Sequence, residues 1–388
     1  MTETLKTDVK VIFALTLVHF IGDFYSSFVT PLLPVFVQKF SLSLTQVGLI
    51  TGTSRLLAFV VQPSVGYIAD HYKTRSFILG GPLLAIMFIP LVGIAPGFLM
   101  LIFFISLGSI GSSMFHPSLA GMISTYAGRN FGFSMSIFNA GGTLAFGIGP
   151  LFITYFVASY GLRACPFTMI LGLAIMALLF RAVPLPGGEE LKNLGFVGSI
   201  KEAMGAVWKS IALIWVVMVL RSFVGQSFLT FTPVLLSNEG YSLVSIGTVV
   251  SLFVIAGAGS GLLAGHLSDR FGYKRIFFAA HGLATPSLYL LIHFSGNWVY
   301  IGGFLAGFFV LATLPLGVVM AQKLAPRGKS MVSSLMMGLA FGTGGMMTAL
   351  TGKLADMFSI RPVLSWLAII PFLTTGLIAL VQERKSSR

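Results

Sequence analysis

Runs of about twenty apolar residues alternate with short polar segments along almost the whole chain. A helix needs about 20 such residues to cross the hydrocarbon core of a bilayer, so each run predicts one membrane-spanning helix. The pattern therefore predicts an all-α integral membrane protein with twelve transmembrane helices. The predicted spans are residues 11–37, 45–69, 77–95, 98–124, 131–157, 164–182, 210–236, 244–267, 276–294, 298–322, 329–352 and 362–381.

The first apolar run carries two ionisable side chains, His19 and Asp23. Residues four apart lie on the same face of a helix, and Thr16, Ser26 and Thr30 share that face. A charge near the bilayer centre costs at least about 2.5 kcal/mol, so such residues face a bundle interior or a water-filled path. The run therefore predicts a first span with one polar side, not a cleaved leader.

Composition supports a membrane protein and excludes several other classes. Of the 388 residues, 56% are hydrophobic and 9% are charged, and the mean hydropathy is +0.94. The single cysteine, Cys165, excludes a disulfide framework and a cysteine-based metal site. Because the sequence also lacks a paired His/Glu metal motif and a phosphate-binding Gly-Lys-Ser/Thr loop, we expect no metal, no cofactor, no ATP-driven pump and no enzyme.

The formal net charge of +13 does not indicate a nucleic-acid-binding surface, because the positive residues are distributed among the loops and termini. Most lysines and arginines occur at the termini and in alternate loops, as the positive-inside rule describes. Both termini are therefore predicted to be cytoplasmic, in a bacterial-type inner membrane. The expected partner at this point is the lipid bilayer, without nucleic acid, and the protein is expected to be a monomer.

The two halves of the chain resemble each other. Gly66 and Asp70 recur after 199 residues as Gly265 and Asp269, following equal numbers of predicted spans. Parallel repeats of six helices are related by an axis along the membrane normal, which predicts two six-helix bundles with a pseudo-twofold axis. With about one residue of slack in the repeat, Asp23 corresponds to Arg221 in span seven.

The longest polar interval separates these halves. The predicted domains are an N-terminal bundle at residues 1–182, a cytoplasmic linker at 183–209 and a C-terminal bundle at 210–388. Apolar residues at helical spacing in the linker favour a short interfacial helix. The alternative is a plain extension of span seven.

The loops after spans two and eight resemble the signature loop of major facilitator superfamily transporters. The second copy fits closely, whereas the first departs from the pattern at His71 and Lys73. The resemblance implies a conformational latch, since charges at these helix ends can pair with neighbouring helices; the alternative is ordinary anchoring charge. The latch candidates are Gly66, Asp70, Arg75, Gly265, Asp269, Arg270, Gly272, Lys274 and Arg275.

A closer resemblance, over nearly the whole chain, is to the fosmidomycin-resistance family of drug exporters within that superfamily. It rests on three segments, Ser109–Pro117, Ser136–Pro150 and Met331–Gly345. Ser118 stands where typical members have glutamate after the His-Pro pair. Gly149-Pro150 also resembles the antiporter motif of drug exporters, without the two glycines expected shortly after it.

The superfamily resemblance implies alternating access, in which substrate and proton exchange places. Asp23 is the predicted proton carrier, because a carboxyl group in a partly dehydrated cavity can exchange a proton, and His19 is its predicted relay. Competition between a proton and Arg221 for Asp23 would couple protonation to closure. The alternative is a permanent pair of Asp23 with Arg221 or His19.

Two arginines inside spans, Arg55 and Arg221, predict an anionic or zwitterionic substrate, because the planar guanidinium suits carboxylate, phosphate and phosphonate groups. His116 is a further candidate for substrate binding or proton relay. Asn139 and Gln226 are weaker binding candidates, since polar side chains also join helices.

The leading functional hypothesis is a proton-coupled exporter of a small molecule or drug. The second is proton-coupled uptake or exchange of an organic anion, which the two arginines serve equally well. The third is a membrane scaffold or receptor without transport, against which the costly ionisable residues inside spans argue.

Overall fold

The computed structural model of the protein describes residues 7–71, 75–184, 207–324 and 335–381. The interfacial helix predicted within 183–209 lies almost entirely outside these residues. Within them the structure is helical almost throughout, which confirms the all-α prediction.

The helices follow the predicted spans closely. The first half contains α1 (Val9–Ser26), α2 (Val29–Phe40), α3 (Leu44–His71), α4 (Ser76–Phe88), α5 (Phe98–Tyr126), α6 (Phe131–Tyr160) and α7 (Thr168–Leu179). The second half contains α8 (Trp208–Asn238), α9 (Leu243–Phe271), α10 (Tyr273–His293), α11 (Trp298–Leu324), α12 (Ala340–Met346), α13 (Thr348–Phe358) and α14 (Ile360–Leu380). A π-helical turn, Leu335–Leu339, precedes α12.

Eleven stretches of the described residues are long and apolar enough to cross a membrane. The predicted first span is divided into α1 and α2 by a turn at Ser27 and Phe28. Pro31 lacks the N–H that would bond to the Ser27 carbonyl, which accounts for the division. The predicted span 329–352 is described from Leu335, and it consists of the π-helical turn, α12 and α13.

The chain forms two compact units, and each takes a helical segment from the other half of the sequence. The first unit comprises Met1–Leu42, Leu57–Leu191 and Gly240–Ser251. The second unit comprises Ser43–Leu56, Lys192–Glu239 and Leu252–Arg388. Helices α3 and α9 therefore each belong to both units, a division that the hydropathy pattern does not reveal. The domain bounds at 1–182 and 210–388 stay a prediction.

Helix α1 is the central element of the first unit. It packs against α4, α5 and α6, and Leu15 and Val18 are fully buried. The Tyr25 hydroxyl donates to the Thr168 carbonyl and accepts from the Gly172 N–H at 3.0 Å, which ties α1 to α7. Because α1 is surrounded by helices, its polar face lies in the interior of the unit.

Helix α8 has the same role in the second unit, where it packs against α11, α12 and α14. A run of buried residues from Arg221 to Leu236 along α8 is interrupted only by the half-buried Leu229. Helix α10 completes this unit by packing against α11 and α14. The buried His281 of α10 contacts two hydroxyls, Thr374 Oγ1 at 2.6 Å and Thr313 Oγ1 at 3.2 Å, as a packing histidine does.

The N-terminus of α3 is capped in the second unit by a side chain distant in sequence. Asp356 accepts hydrogen bonds from the backbone N–H of Leu44 at 2.7 Å and of Thr45 at 2.9 Å, and from the Thr45 hydroxyl at 2.6 Å. Ser43 and Gln46 form a reciprocal capping box beside it. Together these contacts satisfy the free N–H groups of the first turn.

We expect Asp356→Ala to lower the melting temperature, because loss of an N-terminal cap costs about 1 kcal/mol. Partial burial raises the pKa of Asp356, but its hydrogen bonds from Thr45 and Leu44 outweigh burial and lower the pKa below 3.8. A lowered pKa means that the cap stabilises the fold above that value and loses its effect as the pH falls through the folded-state pKa. Thermal unfolding in detergent at neutral pH checks the prediction. Asp356→Asn keeps one acceptor oxygen and serves as the milder control. Equal melting temperatures for the wild type and Asp356→Ala would contradict the predicted role of this cap.

Candidate functional site

Three predicted site residues meet in the interior of the first unit. His19 and Asp23 lie on α1 and are 5% and 2% exposed, whereas His116 of α5 is half buried. His19 Nε2 lies 3.0 Å from Asp23 Oδ2, and His116 Nε2 lies 3.3 Å from Asp23 Oδ1. Helix α5 thus supplies a second histidine to the pair that the i, i+4 spacing predicted on α1.

Backbone carbonyls orient both imidazole rings. His19 Nδ1 lies 3.0 Å from the Phe138 carbonyl oxygen, and His116 Nδ1 lies 2.6 Å from the Ser112 carbonyl oxygen. A carbonyl accepts hydrogen bonds only, so each Nδ1 carries the proton and each Nε2 faces Asp23. His19 also stacks on the Phe138 ring, with centroids 4.0 Å apart, and His116 on that of Phe115, at 4.4 Å.

This orientation places each Nε2 atom against a carboxylate oxygen of Asp23. An imidazole nitrogen without a proton repels a carboxylate oxygen, so each of the two Nε2 to oxygen contacts needs a proton or another cation between its atoms. Asp23 Oδ1 is buried and has no hydrogen bond of good geometry among the described residues. Apart from His116, helices α4 to α7 contain no Asp, Glu, Lys, Arg or His, so these helices bring no further charged side chain to the cluster.

A glycine of α6 makes room for the cluster. A Cβ atom added at Gly142 would lie 2.5 Å from His19 Cε1 and 2.8 Å from Asp23 Oδ2, both far inside van der Waals contact. The position falls within the Ser136–Pro150 segment that carries the family resemblance. Helix α6 can approach α1 this closely because the residue has no side chain.

We expect Gly142→Ala to push His19 and Asp23 out of contact and to reduce transport strongly while the protein still inserts. The measurement is initial transport rate per inserted protein in membrane vesicles. Gly282→Ala is the matched control, because a Cβ there has no heavy atom within 4 Å. Equal rates for the two variants would show that the close approach at Gly142 has no functional role.

A second cluster lies in the second unit, around Arg55 of α3. Arg55 Nε donates to Gln226 Oε1 of α8 at 3.2 Å, and the guanidinium carbon lies 4.6 Å from the centre of the Phe341 ring of α12. Gln226 is 5% exposed and Arg55 is half buried. A Cβ at Gly345 of α12 would overlap the Arg55 side chain, so the lack of a side chain at this position lets Arg55 pack against α12.

Hydroxyl groups extend the polar surface around this cluster. Thr230 and Thr51 hydroxyls lie 3.1 Å apart, and the Ser222 hydroxyl donates to the Phe341 carbonyl at 3.1 Å. Ser222, Gln226 and Thr230 are spaced four residues apart and therefore share one face of α8. These contacts join α8 to α3 and α12 within the second unit.

Arg221 is 3% exposed, and its Nε donates to the Val310 carbonyl of α11 at 3.0 Å. Its Nη2 is buried and has no hydrogen-bond partner in the described part of the chain. Asp23 and Arg221 lie in different units, and the pairing predicted between them stays a prediction. Asn139 is exposed, and its backbone carbonyl accepts a hydrogen bond from the Thr143 hydroxyl at 3.0 Å.

The second signature loop links α9, α10 and α14. Gly272 separates α9 from α10 with φ at 91°, a conformation that glycine adopts without strain. The Tyr273 hydroxyl donates to Asp269, and Lys274 Nζ donates to the Ala379 and Val381 carbonyls at 2.7 and 3.1 Å. These bonds neutralise the C-terminal end of α14.

The remaining latch candidates have less defined surroundings. Arg270 lies beside the Phe271 ring, Arg275 is exposed, and a Cβ at Gly265 would meet open space. Arg75 Nε is buried and has no hydrogen bond among the described residues. The side chains of the first loop, including Asp70 and the Gly66 position, lie outside the description, and the latch stays a prediction.

Sequence reasoning missed the residues that orient the candidate side chains. Ser112, Phe138 and Phe341 act through carbonyls or rings, and Gly142 and Gly345 act through their lack of a side chain. All five lie inside the three segments that carry the family resemblance. Those segments were the available signal, although hydropathy assigned the residues no role.

Known proteins resemble this chain along most of its length. The sequence profile of the Major Facilitator Superfamily matches residues 15–331. The fosmidomycin resistance protein of Escherichia coli (strain K12) is 26% identical over 378 residues, which cover 96% of this chain and 93% of that protein. An uncharacterised transporter of the same superfamily from Bacillus subtilis (strain 168) is 27% identical and covers 92% of this chain and 88% of its own.

The fold is also similar to solved structures. A bacterial homologue of the human lysosomal transporter Spinster, in an inward-facing and unoccupied conformation, has a TM-score of 0.80 at 16% identity and covers 97% of this chain and 98% of its own. The matched proteins of this fold are transporters and not enzymes, as expected from the sequence. The chain therefore belongs to the Major Facilitator Superfamily of membrane transporters.

Proposed function

We propose that the protein exports a small anionic or zwitterionic molecule, drug-like or metabolic, in exchange for protons by alternating access. It acts as a monomer in a bacterial-type inner membrane with both termini in the cytoplasm. The observation that carries this proposal is the cluster of His19, Asp23 and His116, in which two imidazole nitrogens lie 3.0 and 3.3 Å from the oxygens of a buried carboxylate.

The argument for proton coupling rests on how the cluster is arranged. Its ring nitrogens and carboxylate oxygens face each other in pairs, so a change in the number of bound protons changes attraction into repulsion between α1 and α5. His116 is half buried and gives the cluster a side through which protons can exchange with water. Protonation of this cluster would thus favour one arrangement of the helices over another.

The argument for an anionic substrate rests on the cluster around Arg55. A guanidinium presents its donors in a planar fork that matches carboxylate, phosphate and phosphonate groups. The bond to Gln226 and the Phe341 ring orient that fork, which lowers the entropy lost when a ligand binds. The similar protein of Escherichia coli is named for resistance to fosmidomycin, a phosphonate, which supports export and this charge class.

Transport by the purified protein in liposomes with an imposed pH gradient tests the proposal, with fosmidomycin, organic acids and drugs as probes. Uphill movement of a probe against the proton flow is expected. A pH difference of one unit supplies about 1.4 kcal/mol per proton, enough for about tenfold accumulation. Movement of the probe in the same direction as the protons would overturn export and indicate proton-coupled uptake by symport.

The scaffold hypothesis is set aside because the chain belongs to a superfamily of transporters. Displacement of a bound probe by cationic or neutral compounds alone would overturn the anionic assignment. Substrate transport without any proton movement would overturn the coupling.

A further inference from the structure

We propose that His19, Asp23 and His116 form a binding site for a divalent transition metal ion of the Zn²⁺ class, and that the bound ion blocks transport. Metal binding itself stands on the geometry alone, whereas its effect on transport rests on the proposed alternating access. The sequence predicted no metal site, because the donors lie on two helices that are far apart in the chain.

 

In sequence, His116 follows His19 by 97 residues and Asp23 by 93, so the three residues form no local sequence motif. Only the packing of α5 against α1 brings the three side chains together. Their ligand atoms, one from each residue, all lie within 4.8 Å of one another.

The donor atoms match the chemistry of a transition metal ion. Two imidazole nitrogens and one carboxylate oxygen suit Zn²⁺, Co²⁺ and Ni²⁺, whereas Mg²⁺ and Ca²⁺ prefer oxygen ligands. Three protein ligands leave a position on the ion for water. The carbonyls of Phe138 and Ser112 hold the Nδ1 protons, so that both Nε2 atoms are presented to the ion, as in known metal sites.

The distances are close to those that a metal ion needs. Ligands about 2.0 to 2.1 Å from a tetrahedral Zn²⁺ lie about 3.3 Å from one another. His19 Nε2 lies 3.0 Å from Asp23 Oδ2, and His116 Nε2 lies 3.3 Å from the other carboxylate oxygen, Oδ1. One ligand atom from each residue lies within 4.8 Å of the others, so small shifts of the half-buried His116 side chain bring the three atoms to the separation that the ion needs.

The charge balance of the cluster also favours a cation. Asp23 Oδ1 is buried and has no hydrogen bond of good geometry among the described residues, although it faces His116 Nε2. A divalent ion placed between the three ligand atoms satisfies this oxygen and removes the repulsion between unprotonated nitrogens and the carboxylate. Helices α4 to α7 contribute no Lys or Arg that would repel it.

A bound ion would act as an inhibitor. Its bonds to His19 and Asp23 on α1 and to His116 on α5 hold the two helices in one arrangement. Transport in the presence of the ion is therefore expected to fall to the level of liposomes without protein.

The test measures metal binding and transport separately. Protein without a polyhistidine tag is titrated with Zn²⁺ by calorimetry and with Co²⁺ by visible absorption, and one ion per chain is expected. His116→Gln, at the half-buried position, and His19→Gln should each weaken binding by more than about 100-fold, since loss of a residue that only orients a metal ligand already costs about 10- to 100-fold. His293→Gln is the matched control, because His293 is exposed and contacts Ser365 on another part of the fold.

Absence of a stoichiometric Zn²⁺ site in the wild type, or equal affinity in His116→Gln and His293→Gln, would overturn the metal site. These results do not depend on the proposed function. If Zn²⁺ binds but metal-free protein transports without moving protons, the metal site stands and the proton coupling fails. If proton-driven transport is observed but Zn²⁺ does not bind, the proton coupling stands and the metal site fails.

Discussion

Asp23→Asn is expected to abolish proton-driven accumulation of substrate while the protein remains folded and inserted. An amide cannot gain or lose a proton in the accessible pH range, so the cluster with His19 and His116 loses its carboxyl partner. The variant also removes a buried charge from the membrane interior, which is not expected to lower stability. Uptake of fosmidomycin into inverted vesicles with an imposed pH gradient is the measurement.

Exchange of substrate across the membrane separates coupling from binding. Asp23→Asn should still exchange labelled for unlabelled probe when no pH gradient is imposed, because Arg55 and Gln226 are unchanged in the second unit. Asp8→Asn is the matched control, since Asp8 caps α1 and asparagine caps equally well. Full accumulation by Asp23→Asn would refute the assignment of Asp23 as the proton carrier.

Arg55→Gln is expected to weaken binding of an anionic probe by about 10- to 100-fold. Hydrogen bonds to charged groups contribute about 1.5 to 3 kcal/mol, which corresponds to that range of affinity. Arg55→Lys keeps the charge but lacks the planar fork that Gln226 and Phe341 orient, so we expect it to restore binding only in part. The half-saturation concentration for fosmidomycin in exchange measures the effect.

The control for this variant is Arg163→Gln, which removes one positive charge at an exposed position of the first unit. Loss of bulk positive charge alone would affect both variants equally. Gln226→Leu should also weaken binding, to a smaller extent, because Arg55 then loses the partner that orients it. Unchanged half-saturation in Arg55→Gln would contradict the predicted role of Arg55.

Much of the architecture was predictable from the sequence because its causes are local. The bilayer sets the length of each apolar run, and the period of the α-helix places His19 and Asp23 on one face. The resemblance of the signature loops and of Ser109–Pro117 identified the superfamily, which the comparison with known proteins confirms. The break at Ser27 follows from Pro31, although hydropathy alone joined the two helices.

The composition of the candidate sites was decided by tertiary structure. Packing of α5 on α1 brings His116 to Asp23, and the contact of α3 with α8 in the second unit brings Arg55 to Gln226, 171 residues away in sequence. Helix periodicity determines which residues share a face but not which helix lies against that face. That choice depends on close approaches such as those at Gly142 and Gly345, where the absence of a side chain lets neighbouring helices meet.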